Sequence, residues 1–301
     1  MIQTQKIKDS DSLEELPVEL QKEKYEQLRD GIVLIKYGGN AMMDDALRLS
    51  VMHDIAQLQQ LGMHPVVVHG GGPVIRHMLE QAGIKTRFVG GQRKTPARAM
   101  PFVEMALKGR VNGELVSMLN SAGARGIGLS GKDGSMVLAR KKKMKVEEKG
   151  KSKKIDLGRV GEIVQIDPSL IFQLLREGYV PVLAPLASDK KHRDFNINAD
   201  SFAGHMAAAL GARAHVALTD IDGLMMDPKL PETLIRSLKA SKALSLFHSV
   251  IKGGMIPKVE SCLIALQGKV GASHIINGHE PHSLLKALLG KEPIGTQILP
   301  D

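Results

Sequence analysis

Residues 66–75 read VVVHGGGPVI: three branched apolar residues, a histidine, three consecutive glycines, and a proline that opens a new apolar run. The apolar run predicts a buried strand, and Pro73 predicts the first turn of a following helix. A strand-to-helix turn needs one glycine at most, because a single residue supplies whatever positive φ the turn demands. Three in succession point to backbone that comes close to another group.

The same unit stands upstream. IVLIK (32–36) predicts a buried strand and YGGNAMM (37–43) its loop. Asp44 or Asp45 then caps a helix whose apolar positions, Leu47, Val51, Ile55 and Leu58, follow the 3.6-residue period until Gly62 stops it. Further strands are expected over 179–184, 214–219 and 273–276, and helices over 101–120, 167–177, 200–210 and 257–267. Parallel strands joined by helical crossovers predict an α/β fold, an open and mainly parallel sheet with helices on both faces. In such a sheet ligands bind beyond the carboxyl ends of the strands, so the glycine loops should gather on one edge.

Composition narrows the classes. The chain has 301 residues with 43% apolar and 24% charged residues, which suits a globular protein with a sizeable core. No run reaches the roughly 18 apolar residues of a membrane span, and the N-terminus lacks an apolar signal core, so a cytoplasmic location is expected. The single cysteine, Cys262, has no partner for a disulfide and is expected to pack as a small apolar residue. The net charge of +9 is concentrated at 140–154, RKKKMKVEEKGKSKK, where nine basic residues face two acidic ones. That segment has no aromatic residue on which a base could stack, so it predicts a solvated hairpin or loop and not a nucleic-acid partner.

Two familiar nucleotide fingerprints fail. A Walker A motif ending at Gly150-Lys151-Ser152 would need glycine at the position of Lys145. GIGLSG (126–131) matches GxGxxG, but a helix-like segment precedes it where a dinucleotide fold needs a strand. A scattered set of residues is more coherent. Lys36 ends its strand and is followed by Gly38 and Gly39, whose N–H groups can approach phosphate oxygens. NINAD places Asn196, Asn198 and Asp200 before a helix; LTDIDGL sets Asp220 and Asp222 in a loop; GGMIPKV joins two glycines to Lys258 near a helix start. Each has a plain structural alternative: Asp200 as an N-cap, Lys258 as a surface lysine, the two aspartates as turn residues, His69 as a strand terminus.

These motifs, IKYGGNAM, VVVHGGGP, GGQRKTP, GLSGKDG, NINAD, LTDIDGL and GGMIPKV, together resemble the acetylglutamate kinases of the amino-acid-kinase family, over about residues 31–301. The resemblance implies ATP-dependent phosphorylation of the γ-carboxylate of N-acetyl-L-glutamate in arginine biosynthesis, with Mg2+ arriving on the nucleotide and no separate metal site. It implies that Lys36 and Lys258 stabilise the transferring phosphoryl group and that Asp200 orients them. Gly71, Gly72, Arg93 and Asn196 would hold the acceptor. Gly38, Gly39, Thr219, Asp220, Asp222, Gly223, Leu224 and Lys252 would line the nucleotide site. By the same resemblance, 31–187 form the acceptor lobe, 188–301 the nucleotide lobe, and 1–30 a helical arm placed like the helix that links dimers into hexamers, the assembly being a homodimer or homohexamer.

The chain departs from the family pattern in the length and charge of 140–154, and at Lys286, which follows Leu285 where arginine-inhibited members tend to carry a Leu-Glu pair. A lysine there would repel a guanidinium, which argues against feedback by arginine. Three other readings stay open on sequence alone: a kinase for N-acetyl-aminoadipate or another acidic amino acid, an NAD-binding oxidoreductase built on GIGLSG, and a non-catalytic relative that uses its basic segment.

Overall fold

A computed structural model describes residues 17–38, 42, 44–148 and 151–301; Gly39, most of its loop, residues 1–16 of the arm and residues 149–150 of the basic segment lie outside the described residues. The first part of the chain forms α1 (Lys22–Leu28), β1 (Ile32–Tyr37), α2 (Asp45–Gln60), β2 (His64–His69), α3 (Gly72–Gln81), β3 (Phe88–Val89), β4 (Gln92–Arg93), α4 (Met100–Glu104), α5 (Asn112–Ser121) and β5 (Gly126–Ser130). The middle forms β6 (Val137–Lys141), β7 (Met144–Glu148), β8 (Lys151–Ile155), β9 (Gly161–Ile166), α6 (Ser169–Arg176), β10 (Val180–Ala184), β11 (Leu186–Ser188) and β12 (Asp194–Asn196). The last part forms α7 (Ala199–Leu210), β13 (Ala214–Thr219), β14 (Ser237–Lys239), α8 (Ala240–Ser245), α9 (Met255–Gln267), β15 (Ala272–Asn277), α10 (Ser283–Leu289) and β16 (Thr296–Leu299).

Eight strands make one sheet in the order β14-β16-β15-β13-β1-β2-β10-β5, parallel except where β16 runs against β15. Alternation within β1 explains the layers. Val33, Ile35 and Tyr37 belong to the core under α2, α5 and α10, whereas Leu34 belongs to the core under α6 and α7. Helices therefore cover both faces, and all five strands expected from the sequence lie in this sheet.

Three features differ from the sequence reading. GIGLSG is mostly strand β5, at the sheet edge beside β10. It is not a loop between a strand and a helix, which removes the structural basis for the oxidoreductase reading. The helix expected over 101–120 is continuous from α4 to α5 but passes through a π-helical stretch, Met105–Val111. A second, four-stranded sheet, β12-β11-β6-β9, was not anticipated, because strands such as DFN and VLARK are short and half polar. The basic segment contains the antiparallel hairpin β7–β8. Part of the arm, α1, docks on its own chain: Gln21 N donates to the Leu289 carbonyl and Lys24 Nζ to the Gly290 carbonyl at 2.7 Å each.

Candidate active site

β1 lies between β2 and β13, its successors on opposite sides in the sheet. The crossover from β1 runs one way and that from β13 the other, so a crevice opens beyond their carboxyl ends, where open α/β sheets bind ligands. Lys36 is the penultimate residue of β1 and shares Leu34's side of the strand, facing α7.

On α7 the N-cap is Asn198, whose side chain accepts the Ser201 N–H at 2.9 Å. Asp200 is thereby free of the capping role that the sequence allowed. It lies one residue inside the helix, and its Oδ1 is 2.9 Å from Lys36 Nζ in a pair that is 5% and 7% exposed. Burial pushes the Asp200 carboxyl up, but Lys36 and then Lys258 outweigh burial and hold it below its ordinary value. Lys258, half-buried in the first turn of α9, has its ammonium lowered by burial and by Lys36, against opposing pulls from Asp200 and Asp220. The structure thus brings Lys36, Asp200 and Lys258 into one electrostatic cluster. Two ammoniums near one carboxylate, at the start of a helix, leave net positive charge poised for an anion.

The spacing of the two helices that carry Asp200 and Lys258 is set by Gly204 and Ser261. Ser261 Oγ donates to the Asp200 carbonyl at 2.6 Å, and a Cβ at Gly204 would lie 2.5 Å from the Ser261 carbonyl oxygen. Backbone on both sides leaves nothing to rotate away. Gly204→Ala is expected to cost about 1–3 kcal/mol in a denaturant titration; an unchanged midpoint would show that this approach does not fix the helices. Sequence reasoning missed Ser261, although its i+3 spacing from Lys258 places both on one side of α9.

Beside the cluster lies a cavity of about 200 Å³ whose walls include Gly70, Gly71, Gly72, Phe88, Arg93 and Asn196. Arg93 is buried, with Nη2 donating to the Gly72 carbonyl and Nη1 to Thr86 Oγ1, each at 3.1 Å, and its guanidinium stacks 4.7 Å from the Phe88 ring centroid. The fork is therefore aimed before any ligand arrives. Gly38 joins this cavity to the lysines: a Cβ there would lie 3.3 Å from Lys36 Nζ and 3.4 Å from Gly70 N, so the first two glycine loops abut.

The loop after β13 is tied down on one side. Thr219 Oγ1 donates to Asp220 Oδ1 at 3.1 Å, and Asn277 Nδ2 donates to Asp222 Oδ1 at 2.7 Å. Gly223 has φ 148° and packs so closely on Thr296 that a Cβ would lie 2.6 Å from Thr296 Oγ1, which also accepts the Leu224 N–H at 2.8 Å. Leu224 itself points into the core around α9, so only its backbone faces the loop. Lys252 is exposed on the segment that enters α9, where its carbonyl accepts the Met255 N–H.

The model for the amino acid kinase family matches residues 31–277. The chain belongs to that family. It is 47% identical over 268 residues to an acetylglutamate kinase of Pelotomaculum thermopropionicum, covering 88% of this chain and 91% of the relative. It is 46% identical over 272 residues to the acetylglutamate kinase of Methanocaldococcus jannaschii, covering 90% and 91%. Among solved structures, N-acetylglutamate synthase from Neisseria gonorrhoeae superimposes with a TM-score of 0.78 at 24% identity, covering 93% of this chain and 62% of the synthase. The chain thus spans less than two thirds of that synthase, and the likeness is one of fold.

Proposed function

We infer that the protein transfers the γ-phosphoryl group of ATP to the γ-carboxylate of N-acetyl-L-glutamate, giving N-acetylglutamyl 5-phosphate and ADP, the second step of arginine biosynthesis. The observation that carries this reading is the buried Lys36–Asp200 pair with Lys258 beside it, next to a cavity containing a pre-aimed arginine. The names of the high-coverage relatives supply the acceptor.

A carboxylate with a reference pKa of about 4.3 is ionised at neutral pH, so the nucleophile needs no general base. The chemistry needs in-line alignment and neutralised charge on the transferring group. Lys36 and Lys258 provide positive charge on the phosphoryl oxygens, Asp200 keeps the two ammoniums in place, and the Gly38 and Gly70–Gly72 backbones admit close approach. Arg93 grips the α-carboxylate with Asn196 beside it. ATP enters as its magnesium complex, against Thr219, Asp220, Asp222, Gly223, the Leu224 backbone and Lys252. In this reading residues 31–187 supply the acceptor side and 188–301 the nucleotide side, with β1 and β13 as the seam.

The test is hydroxamate formation from Mg-ATP and hydroxylamine with a panel of acidic amino acids and their N-acetyl forms, N-acetyl-aminoadipate included. Signal confined to N-acetylglutamate supports the reading; none with any acceptor sinks it. Within the glycine run the effects should separate. A Cβ at Gly72 meets nothing within 4 Å, whereas one at Gly71 would lie 2.7 Å from Leu107 Cδ2. Gly72→Ala should leave stability within about 0.5 kcal/mol and raise the KM for the acceptor but not for ATP. Gly71→Ala should also lower stability, by about 1–3 kcal/mol, through the displaced leucine. Equal thermal midpoints for the two variants would contradict this.

A further inference from the structure

His69 is buried at the end of β2, immediately before the glycine run, and takes no part in the transfer described above. Its ring makes two hydrogen bonds. Nδ1 is 2.8 Å from the Gly70 carbonyl oxygen, and Nε2 is 3.0 Å from Asn112 Nδ2, at the point where the π-helical stretch gives way to α5. The same Asn112 nitrogen lies 2.8 Å from the Val182 carbonyl on β10. Carbonyl oxygens only accept, so Val182 fixes Asn112 Nδ2 as the amide nitrogen, a donor. Asn112 then requires Nε2 to accept, and Gly70 requires Nδ1 to donate. The chain of obligate partners defines one neutral tautomer, with the proton on Nδ1.

Burial agrees with neutrality, pushing the imidazole down to about 4. The charged and titratable neighbours are Lys108, from the π-helical stretch, and Tyr37, its register partner on β1. Lys108 donates to the Gly128 carbonyl at 2.6 Å and lies 3.5 Å from Asp133. Gly128 must be glycine for Asn112 to sit here, since a Cβ would lie 2.0 Å from Asn112 Oδ1.

The consequence concerns one peptide plane. In a trans peptide the carbonyl and the next N–H point in opposite directions. With the Gly70 carbonyl held by His69, the Gly71 N–H points away from the imidazole, on a segment that lines the cavity. Among the hydrogen bonds of the described residues, this N–H has no protein acceptor. We propose that His69, locked as the Nδ1–H tautomer by Asn112, is a positioning residue that holds the Gly70–Gly71 peptide so that the Gly71 N–H meets the acceptor carboxylate during transfer. The proposal rests on the reading of this cavity as the acceptor site.

Asn112→Asp is the sharpest test. A carboxylate cannot donate to Nε2, so the ring must either take a second proton and keep its bond to Gly70 or move its proton and release the carbonyl. We expect kcat in this variant to fall with rising pH through an ionisation absent from the unaltered enzyme, reaching a 10- to 100-fold loss, the scale of a small misplacement of reacting groups, with the KM for ATP changed less than twofold. The new carboxylate also faces the Val182 carbonyl, so a second pair covers a variant that does not fold. The amide of His69→Asn can place an N–H near the Nδ1 position, whereas His69→Leu cannot; the asparagine variant should retain at least tenfold more kcat. In the unaltered protein, ¹⁵N imidazole spectra should show His69 protonated on Nδ1 and not on Nε2 from pH 8 to 5. An unaltered pH profile in Asn112→Asp, equal losses in the two His69 variants, or a proton on Nε2 would each overturn the proposal. If the unaltered enzyme forms no hydroxamate, it is the acceptor reading that fails, and the spectrum still reports the tautomer.

Discussion

Lys36→Ala is expected to lower kcat by about 10²–10³-fold while changing the KM for either substrate by less than about threefold, the signature of an interaction made in the transition state. The residue is buried, 2.9 Å from Asp200, at the mouth of the crevice between β1 and β13, where a transferring phosphoryl group would meet its charge before water could screen it. Lys258→Ala should act in the same direction. The substitution at Lys36 also removes the nearest cation from a buried carboxylate. Breaking a buried pair on one side costs about 3–5 kcal/mol, because the remaining charge is left uncompensated, though Lys258 will offset part of that here. The two effects can be separated. In Lys36→Met combined with Asp200→Asn no buried carboxylate is stranded, and Asp220 still acts on Lys258, so stability should recover toward that of the unaltered protein while turnover stays low. Recovery of both would mean that Lys36 serves the fold alone, and unchanged turnover in Lys36→Ala would remove it from the reaction.

The second large effect is on stability in mild acid. His69, His215 and His274 are all buried, and burial pushes each down to about 4. An unfolded chain protonates histidine near pH 6.5, so between about pH 6.5 and 4 it binds three protons that the folded chain refuses. The folded state is favoured fully only above that window, and stability falls as pH drops through it, with a slope on the order of 4 kcal/mol per pH unit. Asp54 works in the opposite sense by at most one proton, because burial raises its carboxyl above the ordinary range even with His282 2.8 Å away. From pH 7 to 5 the net loss should be on the order of 5 kcal/mol, or about 10 °C or more in the thermal midpoint. His274→Asn should flatten the slope by about a third without touching the crevice. A flat stability profile from pH 7 to 5 would contradict the account.

The central strands were readable because each is a mainly apolar run closed by glycine, proline or an acidic turn, and the glycine loops fell on one edge because parallel strands leave no other place for them. The candidate site was legible as a collection of residue types, but its links were not. Nothing in the order of residues says that Asn198 would take the capping role and release Asp200 to Lys36, since both are good caps two positions apart. The strand GIGLS was hidden by its glycines, which weaken strand propensity; Gly128 is there to admit Asn112, a contact that spans 16 positions. The π-helical stretch was invisible for a similar reason. MALKGRV has ordinary helical composition, and the contacts that accompany its wider turns, Asn112 with His69 and Val182 and Leu107 beside Gly71, are all distant in sequence.

The position of β1 has a consequence for how the chain is made. It lies in the middle of the eight-stranded sheet, yet among the described strands it is the first to be synthesised, and the neighbour on its outer side is β13. Once β2, β10 and β5 have joined it, the other edge of β1 keeps a row of unpaired N–H and C=O groups until residues 214–219 leave the ribosome. At 5–20 residues per second the whole stretch from β1 to β13 takes on the order of 10–40 s. An open, apolar edge of this kind is a template for pairing with another chain. Nascent chains on the same message therefore share a vulnerable period that ends only when β13 arrives, and chaperone cover or slow aggregation at high expression should be concentrated there.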